Sequence, residues 1–323
     1  VTTSLALAID FGGTKVEAAL IDETGRLLPG SRHRAPTGRQ AASAELERSV
    51  REVVASALDA APADSEIVGA GIGTAGPIVR NQGLASPLNV PAWRGYPLRE
   101  FVAGLVESRG HRVPVRLEVD GVAITLAEHW IGAAQGVDNV MGMVISTGIG
   151  AGLIVGGRVL TGSTGNAGHV GHVDVAGFTG EATFGATSSL EAIASGPHTV
   201  AWAQHHGFEG AAGEDLAAAY AAGDEVARAA IARTGEAVGR AIASATALLD
   251  LDLVAIGGGF SQSTPDLFDQ IRRPLRDHYF EFVRKVRVVP SALSGEGPLI
   301  GSGALIHRSD MLPAITAAEP ATR

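Results

Sequence analysis

Two stretches of this 323-residue chain repeat one pattern more than a hundred residues apart. One reads Ile-Asp-Phe-Gly-Gly-Thr-Lys (IDFGGTKVEAALIDETG, from Ile9) and the other ISTGIGAGLIVGGRVLTG, from Ile145. Each is an apolar strand, a glycine-rich turn, a second strand and a closing glycine turn. The separation is far too long for a solenoid repeat, so the pattern reads as one hairpin used twice, once in each of two α/β domains. The expected division is a small domain of residues 1–120, joined by a C-terminal helix of about 304–323, and a large domain of 121–303.

The rest of the chain supplies α/β elements around those hairpins. Helices are expected over 41–61, 121–132, much of 213–250 and 301–311. Further strands are expected at 67–72, 113–119, 253–256 and 286–290. In the second hairpin, residues 147–152 read as turn and the strand resumes at Leu153. The proline-rich SPLNVPAWRGYPL (86–98) reads as loop, because each proline restricts the residue before it. Aromatic residues are only 5% of the chain, so the core must come from Ala, Val, Leu and Ile.

Composition excludes several classes of function. With 25 basic and 34 acidic side chains the net charge is −9, and no dense basic run offers a surface for nucleic acid. No cysteine is present, which removes disulfides and thiolate metal sites. No stretch reaches the length of a membrane-spanning segment, and VTTSLALAID lacks the basic start of a signal peptide. The expectation is a cytoplasmic protein without membrane partners.

Glycine turns between strands leave backbone N–H groups bare and let an anion approach without a Cβ in the way. In DFGGTK, Gly12 and Gly13 are joined by the hydroxyl of Thr14, the ammonium of Lys15 and the carboxylate of Asp10, which can hold magnesium through water. The second turn offers Thr147, Gly148 and Gly150. A third cluster, IGGGFSQS, ends a strand with Gly258 and Gly259. Either hairpin turn alone is an ordinary connection; two matched turns point to phosphate. GNAGHVGH (165–172) sets His169 and His172 three residues apart, open to reading as metal ligands, a catalytic pair, a substrate contact or loop residues.

DFGGTK, GIGTAGP, SPLNVPAW, EVDGVAITLAEHW, STGIGAGLIVGGRVLTG, AGHVGH, SSLEAIASG and IGGG follow one another in the order and spacing of the ROK family, which the chain resembles over about residues 5–310. That resemblance implies a two-domain actin/hexokinase-like ATPase fold with a ribonuclease H-like core in each domain, and ATP and sugar in the cleft between them. It also implies an ATP- and magnesium-dependent kinase acting on a sugar hydroxyl, the 6-hydroxyl of a hexose first, and a homodimer. Family repressors carry an additional N-terminal DNA-binding domain; here the first phosphate turn begins at Asp10, so kinase is expected over repressor.

The resemblance assigns roles residue by residue. Asp120 matches the catalytic base that takes the proton from the attacking hydroxyl, worth roughly 10²–10⁴-fold. Gly76, Asn89, His172 and Glu191 match sugar contacts. The family's structural zinc is held by a histidine and three cysteines, but Ala182, Phe184 and Ser189 stand at the cysteine positions, so zinc is expected to be absent and apolar packing to replace it. Two further departures fall on the acceptor side: His169 replaces a glutamate and Val119 an asparagine, both addressing the 3- and 4-hydroxyl edge of the sugar. They leave open an amino sugar, deoxy sugar or cyclitol as acceptor, and, from another class, a sugar-binding sensor without turnover.

Overall fold

The computed structural model describes residues 2–180 and 187–314. The chain forms two compact units, Val1–Gly132 with Arg158–Ala167 and Gly295–Arg323, and Ala133–Gly157 with Gly168–Ser294. Helix α3, which opens at Asp120, counts with the first of them.

The first unit is built on β1 (Thr3–Phe11), β2 (Lys15–Asp22), β3 (His33–Pro36), β4 (Ser65–Thr74) and β7 (Val115–Val119), in the order β3-β2-β1-β4-β7. β5 (Ile78–Val79) and β6 (Leu84–Ala85) make a separate small hairpin. β1 and β2 are antiparallel, whereas β1, β4 and β7 run parallel. Helices α1 (Ser43–Asp59) and α2 (Leu98–Ser108) pack on this sheet, as do α3 (Asp120–Ile131) and the late helix α10 (Gly297–His307). The central strands are fully buried: Leu5, Leu7, Ile9, Ile72 and Leu20 show no exposed surface. Alternate glycines on β4 admit α10. A Cβ on Gly71 would overlap the carbonyl of Ser302, and one on Gly69 would lie 2.7 Å from Ile306. Ser302 fastens the contact, donating from Oγ to Ile9 O at 2.9 Å and accepting from Gly73 N–H at 3.2 Å.

The second unit repeats the plan. β8 (Val140–Ile145) and β9 (Ile149–Val155) are antiparallel, β11 (Leu253–Gly257) runs parallel to β8, and β12 (Arg287–Pro290) parallel to β11. The short β10 (Arg158–Val159) opens the excursion 158–167 that belongs to the first unit. Around the second sheet lie α4 (Leu190–Ala194), α5 (Gly196–His205), α6 (Gly213–Ala222), the long α7 (Glu225–Leu249), α8 (Asp266–Arg276) and α9 (Glu281–Lys285). Ile145, Ile193, Ile231, Ile242, Ile256 and Ile271 meet in its core. α7 is N-capped by Asp224, whose Oδ1 accepts Ala227 N–H at 2.7 Å, and stops where Asp250 turns left-handed at φ 52°. Both sheets are thus an antiparallel hairpin followed by two parallel strands, the ribonuclease H-like plan that the family resemblance implies.

Three local expectations are corrected. Gly150 and Gly152 are not turn residues: β9 already begins at Ile149, and Gly150 pairs with Val144 within the ladder. At Gly152 the missing side chain admits close approach of Gly168 rather than making a bend. The last helix starts at Gly297 rather than Gly301, because Pro298 fits a first helical turn that lacks N–H partners anyway. Asp120 is the first residue of α3, with Val119 at the N-cap position.

Candidate active site

In the first unit the register of three parallel strands brings the candidate residues to one level. Phe11 is opposite Thr74, and Thr74 opposite Val119. Gly12, Ala75-Gly76 and Asp120 therefore leave the carboxyl ends of adjacent strands together, where open α/β sheets bind ligands. The first turn is closed by Gly12 N–H donating to Lys15 O at 2.9 Å, and Thr37 braces it, Oγ1 donating to Gly12 O at 2.8 Å. Ala75 N–H reaches Phe11 O at 3.4 Å.

Charge is concentrated beside that turn. Burial, joined by the nearby Asp120 carboxylate, pushes Asp10 from 3.8 up to about 7, against the opposing pull of Lys15. Asp120 accepts Gly121 N–H at 2.7 Å on Oδ1. Cross-strand from Asp10 stands Glu17, 3% exposed. Burial alone would raise its pKa, but Lys15, Arg32 and Arg34 hold it below the usual range. Its Oε1 accepts from Arg32 Nη2 at 3.0 Å and Arg34 Nε at 3.1 Å, and Lys15 Nζ donates to Oε2.

Asn89 arrives from the proline-rich segment. Its Cβ lies so near the turn that a Cβ on Gly13 would stand 2.8 Å away. Two residues that the sequence did not single out put it there. Trp93 is fully buried and stacked between Phe11 at 4.6 Å and Tyr96 at 3.9 Å, with Nε1 donating to Ser43 Oγ at 3.0 Å. Arg94 wraps the loop, donating to the carbonyls of Pro87, of Leu88 at 3.0 Å and of Val90 at 3.3 Å. Val119, 2% exposed, offers α3 no side-chain cap.

The second unit gathers the remaining candidates. Ser146 N–H donates to Gly148 O at 2.9 Å to close the second turn, which holds Thr147. Glu191, in the first turn of α4, accepts Ile149 N–H at 2.8 Å on Oε2, and a Cβ on Gly148 would stand 2.6 Å from the same oxygen. Gly168 and Gly171 of GNAGHVGH lie flat on β9: a Cβ on Gly168 would overlap Ala151 O, and one on Gly171 would overlap Ile149 O. This close approach fixes the half-buried His169 and the exposed His172, whose ring centroids are 6.1 Å apart. Gly258, at φ 97°, lies against the carbonyl of Ile145, so the third glycine cluster adjoins the second turn.

Next to Thr147 and Gly259 opens a cavity of about 500 Å³ that reaches Pro197, Gly213, Gln262 and Ser263. It lies at the N-terminal ends of α5 and α6, which suits an anionic ligand. The Oγ of Ser263 is buried with no hydrogen-bond partner among the described residues. None of these lining residues except Thr147 and Gly259 was legible as a site residue, since they come together only by tertiary packing.

Among the described residues no three His, Asp or Glu side chains gather as a metal-binding group. Of the positions expected to replace zinc ligands, Ala182 and Phe184 lie outside the described residues. Ser189 caps α4, its Oγ accepting Ala192 N–H at 3.3 Å. No described helix is long and apolar enough to cross a membrane.

Comparison with known proteins finds relatives along nearly the whole chain. The chain is 29% identical over 317 residues to a glucokinase of Thermotoga maritima, covering 93% of this chain and 96% of that one. It is 31% identical over 312 residues to an N-acetyl-D-glucosamine kinase of Escherichia coli O6:H1, covering 93% and 98%. Among solved structures, a ROK hexokinase from Thermus thermophilus superposes with TM-score 0.79 at 28% identity over 95% of this chain and 99% of that one. A ROK family glucokinase from Streptomyces griseus, in complex with glucose and AMPPNP, gives TM-score 0.78 at 27% identity over 94% and 99%. The ROK family profile matches residues 6–309, and the chain belongs to the ROK family.

Proposed function

We propose that this ROK-family carbohydrate kinase transfers the γ-phosphate of ATP to the 6-hydroxyl of a hexose or of a hexose derivative such as an amino sugar. The observation that carries this reading is the meeting of Asp10, Asp120, Asn89 and the Gly12–Gly13 turn at the ends of β1, β4 and β7. Asp120 is the general base: a sugar hydroxyl is a poor nucleophile at neutral pH, and a positioned carboxylate takes its proton as the oxygen attacks phosphorus. Two carboxylates close enough to raise a pKa also suit a divalent cation. Asp10 would hold magnesium through water, and magnesium would neutralise phosphate charge. Gly13, Thr14, Lys15, Thr147 and Gly148 would supply N–H, hydroxyl and ammonium donors for phosphate oxygens. Gly12, whose N–H closes the turn on Lys15 O, lets the phosphate approach without a Cβ in the way. The cavity beside Gly258 and Gly259 fits the nucleoside, with the unpartnered Ser263 hydroxyl ready to bond it.

Glu191, His169, His172, Gly76 and Asn89 are the acceptor contacts in this reading. Carboxylate and imidazole groups accept from sugar hydroxyls, which rewards an acceptor with the matching hydroxyl pattern. The N-acetyl-D-glucosamine kinase relative supports an amino-sugar acceptor as well as glucose. The second unit further presents Leu248, 82% exposed, and Tyr279, 88% exposed, along an apolar groove of about 920 Å³. That surface supports a homodimer, and use of ATP supports a cytoplasmic place of work.

A coupled ADP-release assay across glucose, N-acetylglucosamine, other amino sugars, deoxy sugars and cyclitols tests the reading. Acceptor-dependent ADP release with at least one hexose or hexose derivative is expected. If no acceptor raised ATP turnover above background while a sugar still raised the melting temperature, a sensor would replace the kinase.

A further inference from the structure

The loop bearing His169 and His172 continues into a strand-like excursion held in place by residues outside the site described above. Residues 173–180 run back along 187–190, with Val175 N–H donating to Ser188 O at 2.9 Å, Gly180 N–H to Thr187 O at 2.7 Å and Leu190 N–H to Val173 O at 2.9 Å. Leu190 begins α4, the five-residue helix that carries Glu191. A helix this short cannot hold its own shape, because nearly all its N–H and C=O groups lack partners within it.

One guanidinium group answers for both pieces. Arg233, on α7, donates from Nη1 to Ile193 O at 2.8 Å, satisfying a carbonyl at the C-terminal end of α4. From Nη2 it donates to Thr179 O at 2.7 Å, on the excursion. Its Cζ lies 5.3 Å from the Trp202 ring of α5 and 5.7 Å from the Phe178 ring. Two turns along α7, Arg240 donates to Ala176 O at 3.3 Å, with its Cζ 5.3 Å from the Phe178 ring. Phe178 is thus gripped by both arginines. The neighbouring Thr234 is fully buried and bonded to Thr199 of α5 at 2.8 Å, so α7 is itself a fixed platform.

We propose that Arg233, with Phe178 as its stacking partner, is a positioning residue for acceptor recognition: it locks Glu191 and the histidine loop onto α7. This rests on the reading of His169, His172 and Glu191 as acceptor contacts. Arginine is required because two carbonyls on two separate segments must be met by a planar fork that also stacks on aromatic faces. A lysine ammonium also has three donors, but as a compact point charge it lacks the planar fork that spans two separated carbonyls and does not stack on aromatic faces in the same way.

The test uses the full-length protein with Arg233→Lys and Phe178→Leu. Amide hydrogen exchange is read at Val175, Gly180 and Leu190, together with KM for the best acceptor, KM for ATP, and kcat. The expected result is exchange at least about tenfold faster at these three amides, with β8 amides unchanged. Acceptor KM should rise about tenfold with ATP KM unaltered, and Phe178→Tyr, which keeps the ring, should restore wild-type values. Unchanged exchange in both variants would overturn the clamp, and equal shifts of both KM values would overturn its role in acceptor recognition. A wild-type enzyme without acceptor-dependent turnover would instead remove the functional reading, and the exchange data would still decide the clamp.

Discussion

Asp10 is buried beside Asp120 and keeps its proton to higher pH than an ordinary aspartate does. Its pKa of about 7, against 3.8 for the free group, means that the folded state binds this proton more tightly than the unfolded chain does. Stability associated with the neutral form is therefore complete below about pH 4 and is lost as pH rises toward and through 7. Asp10→Asn removes that loss, so the variant should melt a few degrees above wild type at pH 8 and converge with it near pH 4, by calorimetry; a lower melting temperature at pH 8 would contradict the assignment. The same substitution should abolish turnover, because it removes the carboxylate that would hold magnesium through water. His169, proposed as an acceptor contact, rests on a loop pressed against β9 by Gly168 and Gly171. His169→Glu replaces an imidazole with an acceptor-only carboxylate and should change the ratio of kcat/KM between glucose and N-acetylglucosamine by tenfold or more. An unchanged ratio would place His169 away from the sugar.

Each hairpin is set by strand ends and by what packs on its turn. Gly258 has φ 97° and lies against Ile145 O, so Gly258→Ala carries both backbone strain and overlap. The cost should be about 1–3 kcal/mol, with ATP affinity falling and acceptor binding unaltered, as titration calorimetry would show. Trp93→Ala removes the stack on Phe11 and Tyr96 that seats the Asn89 loop. It should cost roughly 3–5 kcal/mol in denaturant unfolding and raise acceptor KM. The strands and hairpins were legible in the sequence because glycine turns between apolar runs are local signals, read within ten residues. Gly150 and Gly152 misled for the same reason: a glycine signals a turn or a close backbone approach, and only the paired strand decides which. Trp93, Arg94, Ser263 and Arg233 were not legible, since each acts through partners distant in sequence whose identity depends on tertiary packing. Asp120 was legible from its motif, yet its effect on Asp10 follows only from the register Phe11–Thr74–Val119.

Across the whole molecule one topological plan appears twice, an antiparallel hairpin followed by two parallel strands. Each unit has a glycine turn joining the two strands of its hairpin; the first sets Asp10 and Asp120 beside that turn, and the second opens a cavity of about 500 Å³ beside it. In a chain of net charge −9, the local positive charge beside the first turn, on Lys15, Arg32 and Arg34, is paired with Glu17. Self-association belongs to this scale too: light scattering should report a dimer, and Leu248→Arg with Tyr279→Arg should shift it to monomer, whereas a wild-type monomer would dismiss that face. Phosphoryl transfer itself is most directly tested by single-turnover formation of sugar phosphate from ATP and the preferred acceptor, in wild type and Asp120→Asn, with ATP affinity measured alongside. The expected result is a rate lowered roughly 10²–10⁴-fold in Asp120→Asn at unchanged ATP affinity; a variant that keeps the wild-type rate, or loses ATP binding with it, would contradict Asp120 as the base that activates the sugar hydroxyl.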